Sequence, residues 1–168
     1  MTLEHAAKQV VVGMGNVLLK DEGIGVHVAR TLQEEILPSD SGLEVIDGAT
    51  SPDVFLSLKG SAKVIVVDAM EAGDVPGAIY RFRPSEVSSY GRIALSAHQG
   101  NLLEELRLLN EIGQGPQEVV VIGVQPKEIG WGLELSPELQ KQVPCVARLV
   151  LEEAGLLAPI SLRKDCEK

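Results

Sequence analysis

Aromatic side chains make up only 3% of this 168-residue chain, two Phe, two Tyr and one Trp. The core must therefore be assembled from Val, Leu, Ile and Ala, the material of buried parallel strands covered by helices rather than of an aromatic-rich sandwich. Cysteine is equally sparse. Cys145 and Cys166 lie too far apart for a CxxC motif, and Cys166 sits in the polar stretch LRKDCEK, so neither suggests a disulfide framework or a zinc cage. Nowhere do 18 apolar residues run together, and MTLEHAAKQV lacks a basic region followed by an apolar stretch. Membrane insertion is not expected, and a cytoplasmic location is. Clusters of Lys and Arg are missing too. With a formal charge of -9 and a pI near 4.8, the chain would repel a phosphate backbone, which excludes nucleic acid as a partner. The acidic surface reads as a solubility device that would also tolerate a cation.

What is present alternates. QVVVG (9–13), LEVIDG (43–48), KVIVVDA (63–69) and EVVVIGV (118–124) are short, β-branched and bounded by turn residues, as buried strands are. AIYRFRP (78–84) alternates in polarity and reads as an edge strand. Ile24, Val28, Leu32 and Ile36 recur every four residues and draw one apolar stripe along a helix over 23–37, stopped by Pro38. Ser51-Pro52 starts a short helix that Gly60 ends, NLLEELRLLNEIG (101–113) is another with a glycine stop, and Ser136-Pro137 opens a last helical region to about Glu153. Pro144 is expected to break or restart that last helix. One α/β domain over 1–155, a doubly wound and mostly parallel sheet between helix layers, with a polar tail over 156–168, accounts for this order. Sites in such sheets lie at the carboxyl ends of the strands.

The stretch GMGNVLLKDEGIG (13–25) begins like a dinucleotide loop, but Leu18 stands where the third glycine of G-x-G-x-x-G belongs. Asp21 and Glu22 would also repel a pyrophosphate at the helix start. Ordinary capping would explain those two acids taken alone. Asp47 ends the second strand, Asp68 ends the third, and His98 lies just before a helix in LSAHQGN, so a parallel sheet gathers several polar residues at one edge. Asp68 follows VIVV, and a carboxylate so placed pairs, accepts hydrogen bonds or binds metal. Two carboxylates and an imidazole suit nickel, zinc or another divalent cation with coordination positions left open. His27 and His5 read as bystanders, and Ser96 is not part of a G-x-S-x-G elbow.

Taken together, GMGNVLLKDEGIGVHV, VIDGATSPDVF, VIVVDAM, LSAHQGNL and VIGVQPKEIGWGLELSP resemble the hydrogenase maturation endopeptidases, in this order and over about residues 9–154. The resemblance implies a parallel sheet between helix layers. It implies a cytosolic protease that removes a C-terminal extension from the large-subunit precursor of a nickel-iron hydrogenase after nickel insertion, with a non-catalytic nickel-binding or precursor-holding factor as the alternative. The family's metal-binding and catalytic positions fall on Glu22, Asp68 and His98, and its substrate-contacting positions on Asp47 and Asn16. Nickel would arrive with the precursor, and other divalent cations would fit the same ligands. Asp47-Gly48-Ala49-Thr50-Ser51-Pro52 departs from the common Asp-Gly-Gly-Thr run, and Gln125-Pro126 and Trp131-Gly132-Leu133 look like subgroup features.

Overall fold

In the structure, a computed structural model, residues 7–36, 41–49, 54–89 and 97–158 are described, with the backbone alone at 35–36, 87–89 and 97–101. The expectations for His5, Pro38, Ser51-Pro52, Ser96 and Cys166 fall outside these residues. Five strands, β1 (Gln9–Gly13), β2 (Leu43–Asp47), β3 (Lys63–Ala69), β4 (Ile79–Phe82) and β5 (Glu118–Val124), form one sheet in the order β2-β1-β3-β5-β4. All neighbours run parallel except β4, which pairs antiparallel to β5 at the edge. The strand bounds follow the β-branched runs because Val and Ile fit a pleated surface buried on both sides.

Alternation along the strands sends side chains to two cores. Val11, Ile65, Val67, Ile122 and Val124 face the layer of α1 (Ile24–Thr31) and α4 (Pro137–Glu153). Val10, Val12, Val64, Val66 and Val121 face the layer of α2 (Val54–Leu58) and α3 (Ala97–Glu111). The single-domain three-layer α/β/α reading of the sequence is the observed architecture. β1 is followed by β2 on one side and β3 on the other, so the chain changes direction between β1 and β3, the place where such sheets leave a crevice.

Three helix expectations need correction. The first helix is composite, a 3-10 turn at Asp21–Gly23, then α1, then a π segment at Leu32–Ile36. α3 begins at Ala97, four residues before Asn101, so His98 belongs to its first turn instead of preceding it. α4 passes through Pro144 unbroken. A mid-helix proline costs about 3 kcal/mol, which the burial of Val143, Val146, Ala147 and Val150 around it outweighs. Ser136 caps that helix as expected, accepting from Leu139 N at 3.5 Å, with Pro137 at its first position. Cys145 on α4 is disulfide-bonded, although the sequence suggested no disulfide framework.

Candidate active site

The carboxyl ends of the strands are level. Gly13 lies opposite Asp47 on one side and Val67 on the other, and Asp68 lies opposite Gly123. Met14 N donates to Val67 O at 2.8 Å and Gly48 N to Gly13 O at 2.8 Å, so the loops after β1 and β2 leave the sheet together. Two glycines then bring the Asp21–Gly23 turn down onto this edge. Gly15 has φ 124°, and a Cβ there would lie 1.9 Å from Glu22 O. A Cβ at Gly25 would lie 2.1 Å from Val67 O. Only glycine permits either approach. Gly25, not the missing third glycine at position 18, thus provides the close contact of helix with sheet.

Asp21 and Glu22 are adjacent in sequence and serve different ends. Asp21 is fully buried, and its carboxylate accepts four hydrogen bonds, from Lys127 N at 2.9 Å, Glu128 N at 3.0 Å, Ser136 N at 2.7 Å and Ser136 Oγ at 2.9 Å. These bonds tie its turn to the loop before α4. Glu22 is partly exposed, with Oε2 buried at the edge of the sheet. Lys20, just ahead, holds a left-handed φ of 53°; its N–H donates to Gly132 O at 2.9 Å and its Nζ pairs with Glu128 at 3.0 Å.

Asp68 is fully buried, and Oδ1 accepts from Ala69 N at 2.8 Å. By alternation it shares the face of Val64 and Val66, the face covered by α3, whose first turn carries His98. The His98 side chain lies outside those described. Among the described residues no group of three His, Cys, Asp or Glu stands together to hold a metal ion; Glu22 and Asp68 contribute buried carboxylate oxygens.

Asp47 shares the edge but not the face. It falls on the α1 side of the sheet, where Oδ2 pairs with Arg30 at 2.9 Å and Oδ1 accepts from Ala49 N at 3.1 Å. The edge gathers the acids, as expected from topology, and the sheet separates them into two groups. An open cleft of about 470 Å³ is lined by Met14–Leu18, Gly48 and Ala49, the residues that follow β1 and β2. Asn16 is part of its wall, with Oδ1 accepting from Leu18 N at 2.9 Å.

Three residues with structural work at this edge were not singled out for it in the sequence. Arg30 holds Asp47. His27, read as a bystander, hydrogen-bonds to the backbone of Leu133; burial first, then the nearby Arg30, keeps its imidazole pKa below the ordinary value against that bond. Gln125 accepts from Ala72 N and Asp74 N and donates to Glu71, so this part of the Gln125-Pro126 pair organises the turn after β3. Each partnership spans a sequence distance that no local pattern signals.

The model of the hydrogenase maturation protease family matches residues 26–153. The chain is 31% identical over 159 residues to the hydrogenase expression/formation protein HupD of Thiocapsa roseopersicina, covering 93% of this chain and 72% of that protein. It is 29% identical over 154 residues to the hydrogenase 2 maturation protease of Escherichia coli (strain K12), covering 89% and 93%. Among solved structures, the hydrogenase maturating endopeptidase HybD from E. coli superposes with a TM-score of 0.75 at 28% identity, over 88% of this chain and 94% of that one. The [NiFe] hydrogenase maturation protease HybD from Thermococcus kodakarensis gives 0.71 at 26% identity, over 88% and 99%.

Proposed function

The chain belongs to the hydrogenase maturation protease family and is an endopeptidase; we propose that it removes the C-terminal extension of a nickel-iron hydrogenase large-subunit precursor after nickel insertion. What supports this reading is the family match, with Asp68 near the carboxyl end of β3, Glu22 in the turn that Gly15 lets approach the sheet, and His98 in the first turn of α3. Nickel is part of the substrate. Glu22, Asp68 and His98 engage it and so hold the precursor against the enzyme; a metal brought by the precursor needs only partial coordination from the protease. Other divalent cations would occupy the same ligands without recruiting precursor.

Asp47 has a separate task. On the α1 side, one residue before Gly48 of the cleft wall, it contacts the substrate segment near the cut, with Asn16 shaping the wall. The arrangement hydrolyses one peptide bond after two tests of the substrate, its metal and its chain. Nickel-loaded precursor incubated with the wild-type protein should yield a shortened large subunit by mass spectrometry. Glu22→Ala, Asp68→Ala and His98→Ala should each lose most of that processing while remaining folded. Full processing by all three, at equal protein levels, would refute the assignment. Binding without shortening by the wild type would make the protein a holding factor.

A further inference from the structure

Trp131, Leu133, Ile129 and Leu18 are 83, 65, 57 and 50% exposed, although they are large and apolar. Exposed apolar residues scattered singly need no explanation; a contiguous group does. These four belong to one two-segment ribbon. Leu19 bridges Gly132 and Lys20 bridges Ile129, while Gly132 N donates to Leu18 O at 3.0 Å and Lys20 N to Gly132 O at 2.9 Å. The ribbon is also fixed from below, because the buried Asp21 carboxylate holds Lys127, Glu128 and Ser136 at its two ends. Ordering entropy is thereby lost on folding and not on binding, the condition under which apolar anchors add most to affinity.

We propose that this ribbon is the docking surface for the body of the precursor protein, with Trp131 as its central anchor. The proposal rests on the processing reading, and position argues for the occupant. Leu18 is at once a wall of the cleft and the partner of Gly132, so the ribbon begins at the cleft's lip. A folded protein whose chain enters that cleft must lay its neighbouring surface along the ribbon. Charge argues the same way. Lys20 pairs with Glu128 at 3.0 Å and Lys127 with Glu138 at 2.7 Å, so the cations beside the ribbon are already neutralised. Among the described residues, an anionic lipid surface or a nucleic acid finds no basic rim there, whereas an apolar protein patch needs none. A Trp at the centre with aliphatic neighbours is the composition of a binding hot spot.

Trp131 is the chain's single tryptophan, so 5-fluorotryptophan incorporation gives one 19F resonance that reports on the ribbon. Titrating unlabelled nickel-loaded precursor into the labelled protein should shift or broaden that resonance. In steady-state processing, the Trp131→Ser, Leu133→Ser double variant should show a KM raised about tenfold or more with kcat within about twofold. Trp131→Phe should restore much of the loss, which a merely structural defect would not allow. An unmoved resonance at saturating precursor, together with an unchanged KM, would overturn the proposal while leaving processing intact. So would a resonance that moves with protein concentration alone, with a dimer that the double variant abolishes, or one that moves with phosphatidylserine vesicles and not with precursor. Should the wild type fail to shorten the precursor, the processing reading falls and the 19F titration still decides docking.

Discussion

Asp21 shows why two neighbouring carboxylates resist a shared explanation. Four hydrogen bonds converge on it from Lys127, Glu128 and Ser136, and its burial leaves no water to replace them. Asp21→Asn puts an amide NH2 among donors, so about two of them lose an acceptor at about 1–3 kcal/mol each. The expected outcome in urea denaturation is a loss of about 2–4 kcal/mol with an unchanged m-value. Asp47 belongs to another class. Its side chain is 17% exposed and is held by Arg30. Asp47→Asn keeps size while deleting the charge, so cleavage should slow or lose positional selectivity while nickel-dependent association with the precursor persists. If that association is lost as completely as in His98→Ala, Asp47 is a fourth ligand.

At the scale of elements, α1 is the part that most needs its partners. Gly25 seats it on β3, Arg30 joins it to β2, and His27 joins it to the loop before α4. The His27 pKa is depressed by burial first and by Arg30 second, so the folded protein favours the neutral ring. Between its folded and unfolded values the unfolded chain binds the extra proton, and stability therefore rises with pH there. The contribution is complete above the ordinary value of 6.5 and is lost as pH falls from there through the depressed value. Urea midpoints from pH 8 to 5 should fall for the wild type and fall less for His27→Gln; parallel curves would contradict this role.

The five strands, the edge position of β4 and the Ser136 cap were legible because each is written in contiguous residues: a β-branched run, an alternation, a Ser-Pro pair. Strand order was not, since β1 pairs with both β2 and β3 through contacts distant in sequence. Pro144 misled because propensity is local while the burial of Val143, Val146 and Val150 is not. At the site, Glu22 and Asp68 were readable as acids at strand and helix ends. That Asp47 lies across the sheet from Asp68, or that Asp21 reaches Ser136, follows from alternation and tertiary folding that the motifs do not encode.

Over the whole molecule, charge and apolar surface are unequally distributed. Lys63 pairs with Glu153 at 2.5 Å and Glu118 at 3.2 Å, and Arg83 with Glu118 at 2.8 Å, at the end of the sheet opposite the crevice. The crevice end carries acids and the exposed ribbon of Trp131. One end braces the fold, and the other is the end at which the proposed site lies. Recognition of the precursor's nickel by the acidic end is tested by a paired digest of one purified precursor, nickel-loaded and nickel-free, followed by intact-mass spectrometry over time. Loss of the C-terminal extension from the loaded form alone is the expected result. Equal cleavage of both forms would contradict the claim and leave recognition to the chain segment in the cleft.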